Sequence, residues 1–226
     1  MEENKEKLSR EAENLKNETF ETAQKIKESM KDANIKENTK AAKNFVIEMF
    51  KNPLEKIKEI AEENSGKYLK IAILFIAIWT ILIFIKSTYS TIYYWGFARV
   101  WGNILSVLKT ILSPVLGIIV YSVIVFVMNK ENKKTLTDII STITITQLPL
   151  IFASAISLLN IISSKISIIT SPVISLCQMV AIIFGFFGLK YLFGAKESRI
   201  FIKKYIVIQL IYKVCYIIIG LLGIYI

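Results

Sequence analysis

The sequence predicts an all-α, polytopic membrane protein in which five transmembrane helices follow an N-terminal cytoplasmic helical arm. Hydrophobic residues make up 54% of the 226 residues, and they are concentrated after residue 66. Residues 1–66 carry 13 Lys/Arg and 15 Asp/Glu, whereas residues 67–226 carry 15 Lys/Arg and only 3 acids. A basic excess that lies between long apolar segments is typical of membrane topology rather than of nucleic-acid binding.

The first element is a charged arm, residues 1–50. Residues 5–47 contain no Gly or Pro, and weakly apolar positions recur every 11 residues at Leu8, Thr19, Met30 and Ala41. An 11-residue period gives about 3.67 residues per turn and therefore a nearly straight helical face. Two interpretations stay open: a solvated, partly disordered helix, or an amphipathic helix that folds on a lipid or protein surface.

Residues 51–66 predict a short juxtamembrane amphipathic helix. Asn52 can cap this helix, with Pro53 at its first position. Leu54, Ile57 and Ile60 then fall on one apolar face. We expect this face to lie against the cytoplasmic leaflet.

The membrane domain, residues 67–226, contains five segments that approach the roughly 20 apolar residues needed to cross a bilayer core about 30 Å thick. They are residues 68–85, 111–129, 138–160, 168–189 and 205–225. No cleavable signal peptide precedes them, so the first segment is expected to be an uncleaved anchor.

The third segment alternates Thr and Ile from Thr142 to Thr146, a period that would indicate a β-strand in water. An isolated strand leaves its backbone unpaired in lipid, so we expect a helix. Pro149 should bend that helix near its middle.

The connection after the first segment is rich in aromatic residues, and residues 93–109 predict an interfacial helix that ends near Pro114. Its expected membrane anchors are Tyr93, Tyr94, Trp95 and Trp101. Aromatic side chains of this kind settle at the headgroup level. The alternative is that they form a lip that faces lipid or ligand.

The distribution of positive charge predicts the orientation. With five spans, ten Lys/Arg fall on the side of the N-terminus and four on the other side. The positive-inside rule then places the N-terminus in the cytoplasm and the C-terminus outside the cell membrane. The Ile-, Lys- and Asn-rich, His-free composition favours a bacterium.

Three polar residues share one predicted depth in the membrane: Gln147, Gln178 and Lys213. Polar residues in spans are functional candidates, so these three form a candidate intramembrane polar cluster. In the plainer alternative, Lys213 extends to the interface and the two Gln side chains only join helices.

The composition argues against an enzyme and predicts no cofactor. The chain has no His, which excludes His-based triads and His metal sites. The two cysteines, Cys177 and Cys215, lie in apolar segments, and no catalytic pair, phosphate loop or metal-ligand spacing occurs.

Several segments resemble the Yip (Ypt-interacting protein) family and its bacterial relatives. The resemblance covers about residues 51–226 and rests on FKNPLEKIKEI, TLTDIISTITITQLPLIF and IIFGFFGLKYLFGAKESRIFIKKYIVI. It implies five spans, a cytoplasmic N-terminus and no catalysis. Eukaryotic members bind Rab-type GTPases in vesicle traffic, but residues 1–47 lie outside the resemblance.

Two functions follow from these observations. The first is a non-catalytic membrane scaffold or organiser whose arm contacts lipid or a protein partner. The second is a small-solute permease or channel subunit lined by the polar cluster. Membrane lipids are the expected partners in either case, nucleic acid is not, and self-association stays open.

Overall fold

The computed structural model describes residues 2–31, 35–63, 66–95, 104–129, 132, 134–195 and 198–221. These residues are α-helical apart from short turns, and no strand occurs among them. In chain order the helices are α1 (Glu2–Lys31), α2 (Ile35–Lys51), α3 (Pro53–Glu62), α4 (Leu69–Trp95), α5 (Ile104–Met128), α6 (Leu136–Thr146), α7 (Leu148–Ser157), α8 (Leu159–Ile162), α9 (Ser167–Leu192) and α10 (Ser198–Leu221).

Three helices are long and apolar enough to cross a membrane, within Leu69–Tyr93, Val107–Met128 and Ser167–Leu192. A fourth span results if the bent pair Leu136–Thr146 and Leu148–Ile161 crosses as one unit. The predicted fifth span lies in α10, which contains Lys203, Lys204 and Lys213 and does not join this group over its described residues.

The first predicted span continues as helix beyond its expected end, the second begins before its expected start, and the predicted interfacial helix over residues 93–109 is described only at its two ends. α4 runs on to Trp95, and α5 already begins at Ile104 with Pro114 inside it. Residues 96–103, including Trp101, lie outside the described residues. No Gly or Pro interrupts α4 after Ile85, so nothing in its backbone requires the helix to stop at the membrane boundary.

α6 is the central helix, and all 11 of its residues are buried. It packs against α3, α4, α5 and α9. Its hydroxyls bond to its own backbone, with Ser141 Oγ 2.7 Å from Thr137 O and Thr142 Oγ1 2.9 Å from Asp138 O. The Thr/Ile alternation is therefore accommodated in a helix, in which most of the hydroxyls are satisfied by the helix backbone, whereas the buried Thr144 Oγ1 has no hydrogen-bond partner among the described residues.

The third predicted span bends by 43° between α6 and α7. The break is at Gln147, and Pro149 lies in the first turn of α7. The first backbone N–H groups of a helix have no partner within the helix. Pro149 lacks this N–H, so its position in the first turn of α7 costs no helical hydrogen bond. On the far side of the bend, Trp79 Nε1 donates to Ser154 Oγ at 2.9 Å and joins α7 to α4.

The N-cap of α6 is Thr135. Thr135 Oγ1 accepts a hydrogen bond from the Asp138 backbone N–H at 3.3 Å. The Asp138 carboxylate accepts from the Thr135 hydroxyl and from the Gly66 N–H, the latter at 3.1 Å. Asp138 therefore joins the start of α6 to the segment that enters α4.

The arm packs against the bundle. α2 buries Phe45, whose ring centroid is 5.7 Å from that of Tyr68 and 6.0 Å from that of Phe75. α3 buries Ile57 and Ile60 and packs against α6 and α9. Two residues of the predicted apolar face, Ile57 and Ile60, are thus covered by protein, whereas Leu54 on the same face is exposed and the whole face was expected on the leaflet surface.

α1 is helical from Glu2 to Lys31, and the predicted apolar stripe is described only in part, with Ile26 half-buried. Thr22 is buried, whereas Thr19 and Ala23 are exposed, as is Ala41 on the predicted continuation of the stripe in α2. The side chains of Leu8, Leu15 and Met30 lie outside the described set.

Candidate functional site

A cavity of about 890 Å³ lies among α4, α5, α6, α7, α9 and α10. Its volume falls within the range of about 300–1,000 Å³ that is usual for ligand pockets. Gln147 at the bend after α6 and Gln178 on α9 both line it. Two members of the predicted polar cluster therefore border the same space.

Lys213, the third member, is not among the residues that line the cavity. Its side chain is exposed on α10, and its Nζ lies 5.7 Å from the ring centroid of Tyr216. Tyr216 itself lines the cavity. Lys213 is therefore adjacent to the cavity but does not line it.

The sequence interpretation missed the polar group that replaces Lys213. Gln209 Nε2 donates to Tyr121 Oη at 2.6 Å, and the rings of Tyr121 and Tyr212 meet edge to face at 5.0 Å. All three side chains line the cavity. The signal was a stripe on α10, in which Tyr205, Gln209, Tyr212 and Tyr216 are spaced by four, three and four residues.

A second polar region belongs to α4 and α5. It consists of one lysine and five hydroxyl-bearing residues, namely Lys86, Ser87, Ser90, Thr91, Thr110 and Ser113. Lys86 is the only lining residue with a formal charge among those that the structure describes, and no ion pair to it occurs there. The site can therefore attract an anion and has no carboxylate with which to hold a cation.

Small residues create the space between the helices. Gly117 and Ala181 line the cavity, and a Cβ added at Gly185 would have no atom within 4 Å. Gly188 behaves differently, since a Cβ there would lie 2.7 Å from Thr146 Cγ2. In the GFFG motif, one glycine thus widens the cavity and the other allows α9 to pack closely on α6.

Charged contacts fix the arm beside the bundle. Lys56 Nζ lies 2.8 Å from both Glu48 and Glu59, and the Tyr68 hydroxyl donates to Glu59. Burial would lower the pKa of Lys56, but the hydrogen bonds to Glu48 and Glu59 outweigh it and raise the pKa. The hydrogen bonds from Lys56 and Tyr68 lower the pKa of Glu59.

α1 is fixed at the start of α6. The Glu18 carboxylate accepts a hydrogen bond from the Leu136 backbone N–H. Burial nevertheless raises the pKa of Glu18, and the charges of Glu21 and Asp138 act in the same direction. Next to this contact, Lys134 Nζ donates to Glu63 O at 3.3 Å, and burial lowers the pKa of Lys134.

The predicted interfacial anchors are only partly described. Tyr93 is largely exposed and stacks on Tyr89 with a centroid distance of 6.1 Å. Tyr94 and Trp95 belong to α4, but their side chains, like Trp101 as a whole, lie outside the described set.

Groups that could hold a metal ion are absent from the described residues, where no cluster of three or more His, Cys, Asp or Glu occurs. Cys177 and Cys215 are free thiols of intermediate exposure. The chain matches no known protein family, no curated protein and no solved structure. The cavity and its lining residues therefore carry the functional proposal.

Proposed function

We propose that the protein is a membrane permease or channel subunit that holds a small molecule in the cavity between α4, α5, α9 and α10. The observation that carries this proposal is the convergence of Gln147, Gln178 and the Gln209–Tyr121 pair on one space within apolar helices. Polar side chains inside membrane helices mark solute pathways when they face the interior of the bundle.

The lining suits an uncharged or anionic molecule with both polar and apolar parts. Amide and phenol groups can exchange hydrogen bonds with polar atoms, while Trp79, Ile83 and Ile118 offer apolar surface. The absence of a carboxylate among the described lining residues makes a cation a poor ligand for this site.

Transport by the purified full-length protein in liposomes tests this proposal. Stopped-flow light scattering reports uptake of glycerol, urea and gluconate, and dithionite quenching reports transbilayer movement of fluorescent lipids. We expect at least one of these activities, and we expect Gly185→Leu to abolish it by filling the cavity.

Gly220→Leu is the matched control, because Gly220 also lies in a helix and has open space around its Cβ position but does not line the cavity. If neither activity exceeds that of empty liposomes, or if both glycine variants behave alike, the proposal is wrong.

The proposal includes the membrane topology. We propose five spans, with the N-terminus in the cytoplasm and the C-terminus outside. The distribution of positive charge, ten Lys/Arg on one side and four on the other, supports this orientation. α10 would be the fifth span, with its lysines at 203 and 204 near the cytoplasmic interface.

A Yip-like membrane scaffold is the second candidate function. The favouring observation is that α1, α2 and α3 together form a charged helical layer on the bundle. Photo-crosslinkers at the exposed Lys16 and Lys27 in native membranes would test it. A specific protein adduct that persists in Gly185→Leu would support the scaffold, whereas crosslinks to lipid alone would count against it.

A further inference from the structure

We propose that the molecule in the cavity is an anionic membrane lipid that enters sideways between α9 and α10 and places its headgroup at Lys86. This inference rests on the proposed function and names the ligand class for the same cavity. It combines two features: where the cavity opens, and which of its regions carries charge.

The first feature is a lateral opening. α9 and α10 are joined near their connecting segment, where the Phe186 ring centroid lies 5.1 Å from that of Phe201 and 5.2 Å from that of Tyr205. Farther from this segment, the lining residues Ile182 on α9 and Tyr216 on α10 are 64% and 41% exposed. Because residues that line the cavity are exposed on both helices, the cavity opens between α9 and α10 at this level.

The surface around this opening is mainly apolar, with Gln178 on α9 and Lys213 on α10 among its exposed polar residues. Leu176 and Met179 on α9 and Ile217 on α10 are each about 60% exposed. Such a mainly apolar surface on a membrane helix faces acyl chains rather than water. A molecule that passes through the opening therefore comes from the bilayer, and it must carry an apolar part.

The second feature is the charged region on α4 and α5. Lys86 is a compact point charge of the kind that binds phosphate, and the hydroxyls of Ser87, Ser90 and Ser113 can donate to phosphate or glycerol oxygens. Since no acid lines the cavity among the described residues, nothing there compensates the positive charge of Lys86. An anionic headgroup would supply that compensation.

The shape accommodates the rest of a lipid. Lining residues on α9 extend from Gln178 to Leu192, which corresponds to about 21 Å at about 1.5 Å per residue. Much of the wall between the two polar regions is apolar, with Ile83, Pro114 and Ile118 among its residues. An acyl chain fits such a wall, whereas a fully polar solute leaves it without a partner.

The experiment uses the full chain in phosphatidylcholine nanodiscs that contain a trace of photo-crosslinking lipid. The probe lipid is either phosphatidylglycerol or phosphatidylcholine with the same acyl chains, and the labelled peptides are identified by mass spectrometry. We expect phosphatidylglycerol to label α4 and α5 on the order of tenfold more than phosphatidylcholine, since a charge-assisted contact contributes that much.

The variants separate charge from volume. Lys86→Gln should abolish the preference for phosphatidylglycerol, and Lys86→Arg should retain it. The control Lys70→Gln, an exposed lysine at the other end of α4, should leave the preference unchanged. Gly185→Leu should reduce labelling by both lipids, whereas Gly220→Leu should not.

Three outcomes would overturn the inference. If Lys86→Gln retained the preference for phosphatidylglycerol, Lys86 would not be the residue that recognises the headgroup. Equal labelling of wild type and Gly185→Leu would place the lipid outside the cavity. Suppression of labelling by water-soluble glycerol phosphate would identify a free solute as the ligand. In each case, the liposome assays of solute uptake and of transbilayer lipid movement still decide the proposed function separately.

Discussion

Whether Lys213 belongs to the candidate polar cluster depends on where its side chain lies and not only on its position along α10. It extends from α10 next to the cavity, but it is exposed and does not line the cavity. We therefore expect Lys213→Leu to be neutral or slightly stabilising, because a lysine within a span costs about 2.5–3.5 kcal/mol on insertion scales. Thermal unfolding of the purified protein in detergent measures this effect.

The double-mutant cycle of Lys213→Leu with Gln147→Leu is the decisive control. Residues that do not share a contact should give additive effects, with a coupling energy below about 0.5 kcal/mol. Coupling above roughly 1 kcal/mol, near the upper end for polar contacts in membranes, would instead bring Lys213 back into the polar cluster.

The sequence could predict that Gln147 and Gln178 border one space, but it could predict only in part which side chains of α10 do so. Counting along the spans placed Gln147 and Gln178 at one level, and both line the cavity. The same count selected Lys213 and omitted Gln209. Successive residues turn by about 100° around a helix. Which face turns inward depends on the neighbouring helices, and a span that is apolar on all sides does not reveal it.

At the scale of helices, the contact between α9 and α6 depends on Gly188. A Cβ at this position would lie 2.7 Å from Thr146 Cγ2. The hydroxyl of Thr146 is already bonded to Ile143 O at 2.8 Å, so the side chain cannot turn away without losing that bond. We expect Gly188→Ala to destabilise the protein by about 1–3 kcal/mol, the usual cost of overpacking.

Two variants check this expectation by thermal unfolding. Gly185→Ala should be neutral or stabilising, since its Cβ meets no atom within 4 Å. Thr146→Ser removes the methyl group that Gly188→Ala would strike, so the double variant should recover part of the loss. Equal stability of the two Gly→Ala variants would contradict the close-packing role of Gly188.

The docking of α1 on α6 should respond to pH through Glu18. Burial raises its pKa above the model-compound value of 4.5, so ionisation opposes docking. The favourable contribution of the protonated form is complete below about pH 4.5, and it is lost as pH rises through the raised pKa. Protection of α1 from hydrogen exchange should therefore increase as pH falls from 7 through the raised pKa of Glu18 to about 4.5.

Glu18→Gln should remove this pH dependence while keeping an oxygen that can accept from the Leu136 N–H. Glu13→Gln, an exposed position on the same helix, is the matched control and should behave like wild type. A Glu18→Gln variant whose protection still follows the wild-type pH profile would show that another group controls the docking.

The helical class of the elements was predictable, while their packing was less so. The Thr/Ile alternation before Pro149 was expected to be helical because lipid leaves no alternative, and the described residues there are helical. The apolar face of α3 was expected on the leaflet surface. It packs on α6 and α9 instead, since Gly188 leaves room for Ile57, whose Cγ2 is 3.8 Å from the added Cβ position. An amphipathic pattern fixes which side is buried, but it does not identify what covers that side.

For the whole molecule, the proposed topology gives a test in intact cells. With Cys177 and Cys215 replaced by Ala, Glu62→Cys at the end of α3 should be shielded from an impermeant thiol reagent, because residue 62 shares the cytoplasmic side with the N-terminus. Lys165→Cys, in the turn before α9, should be labelled. Both positions are exposed, so burial does not explain a difference between them. Labelling after cell lysis confirms that each thiol can react.

The reverse pattern would overturn the orientation, and it would also reverse the direction in which α10 runs through the membrane. Labelling of both positions in intact cells would contradict the proposed number of spans, because α4, α5 and the α6–α7 pair connect residue 62 to residue 165 and an odd number of crossings must place them on opposite sides.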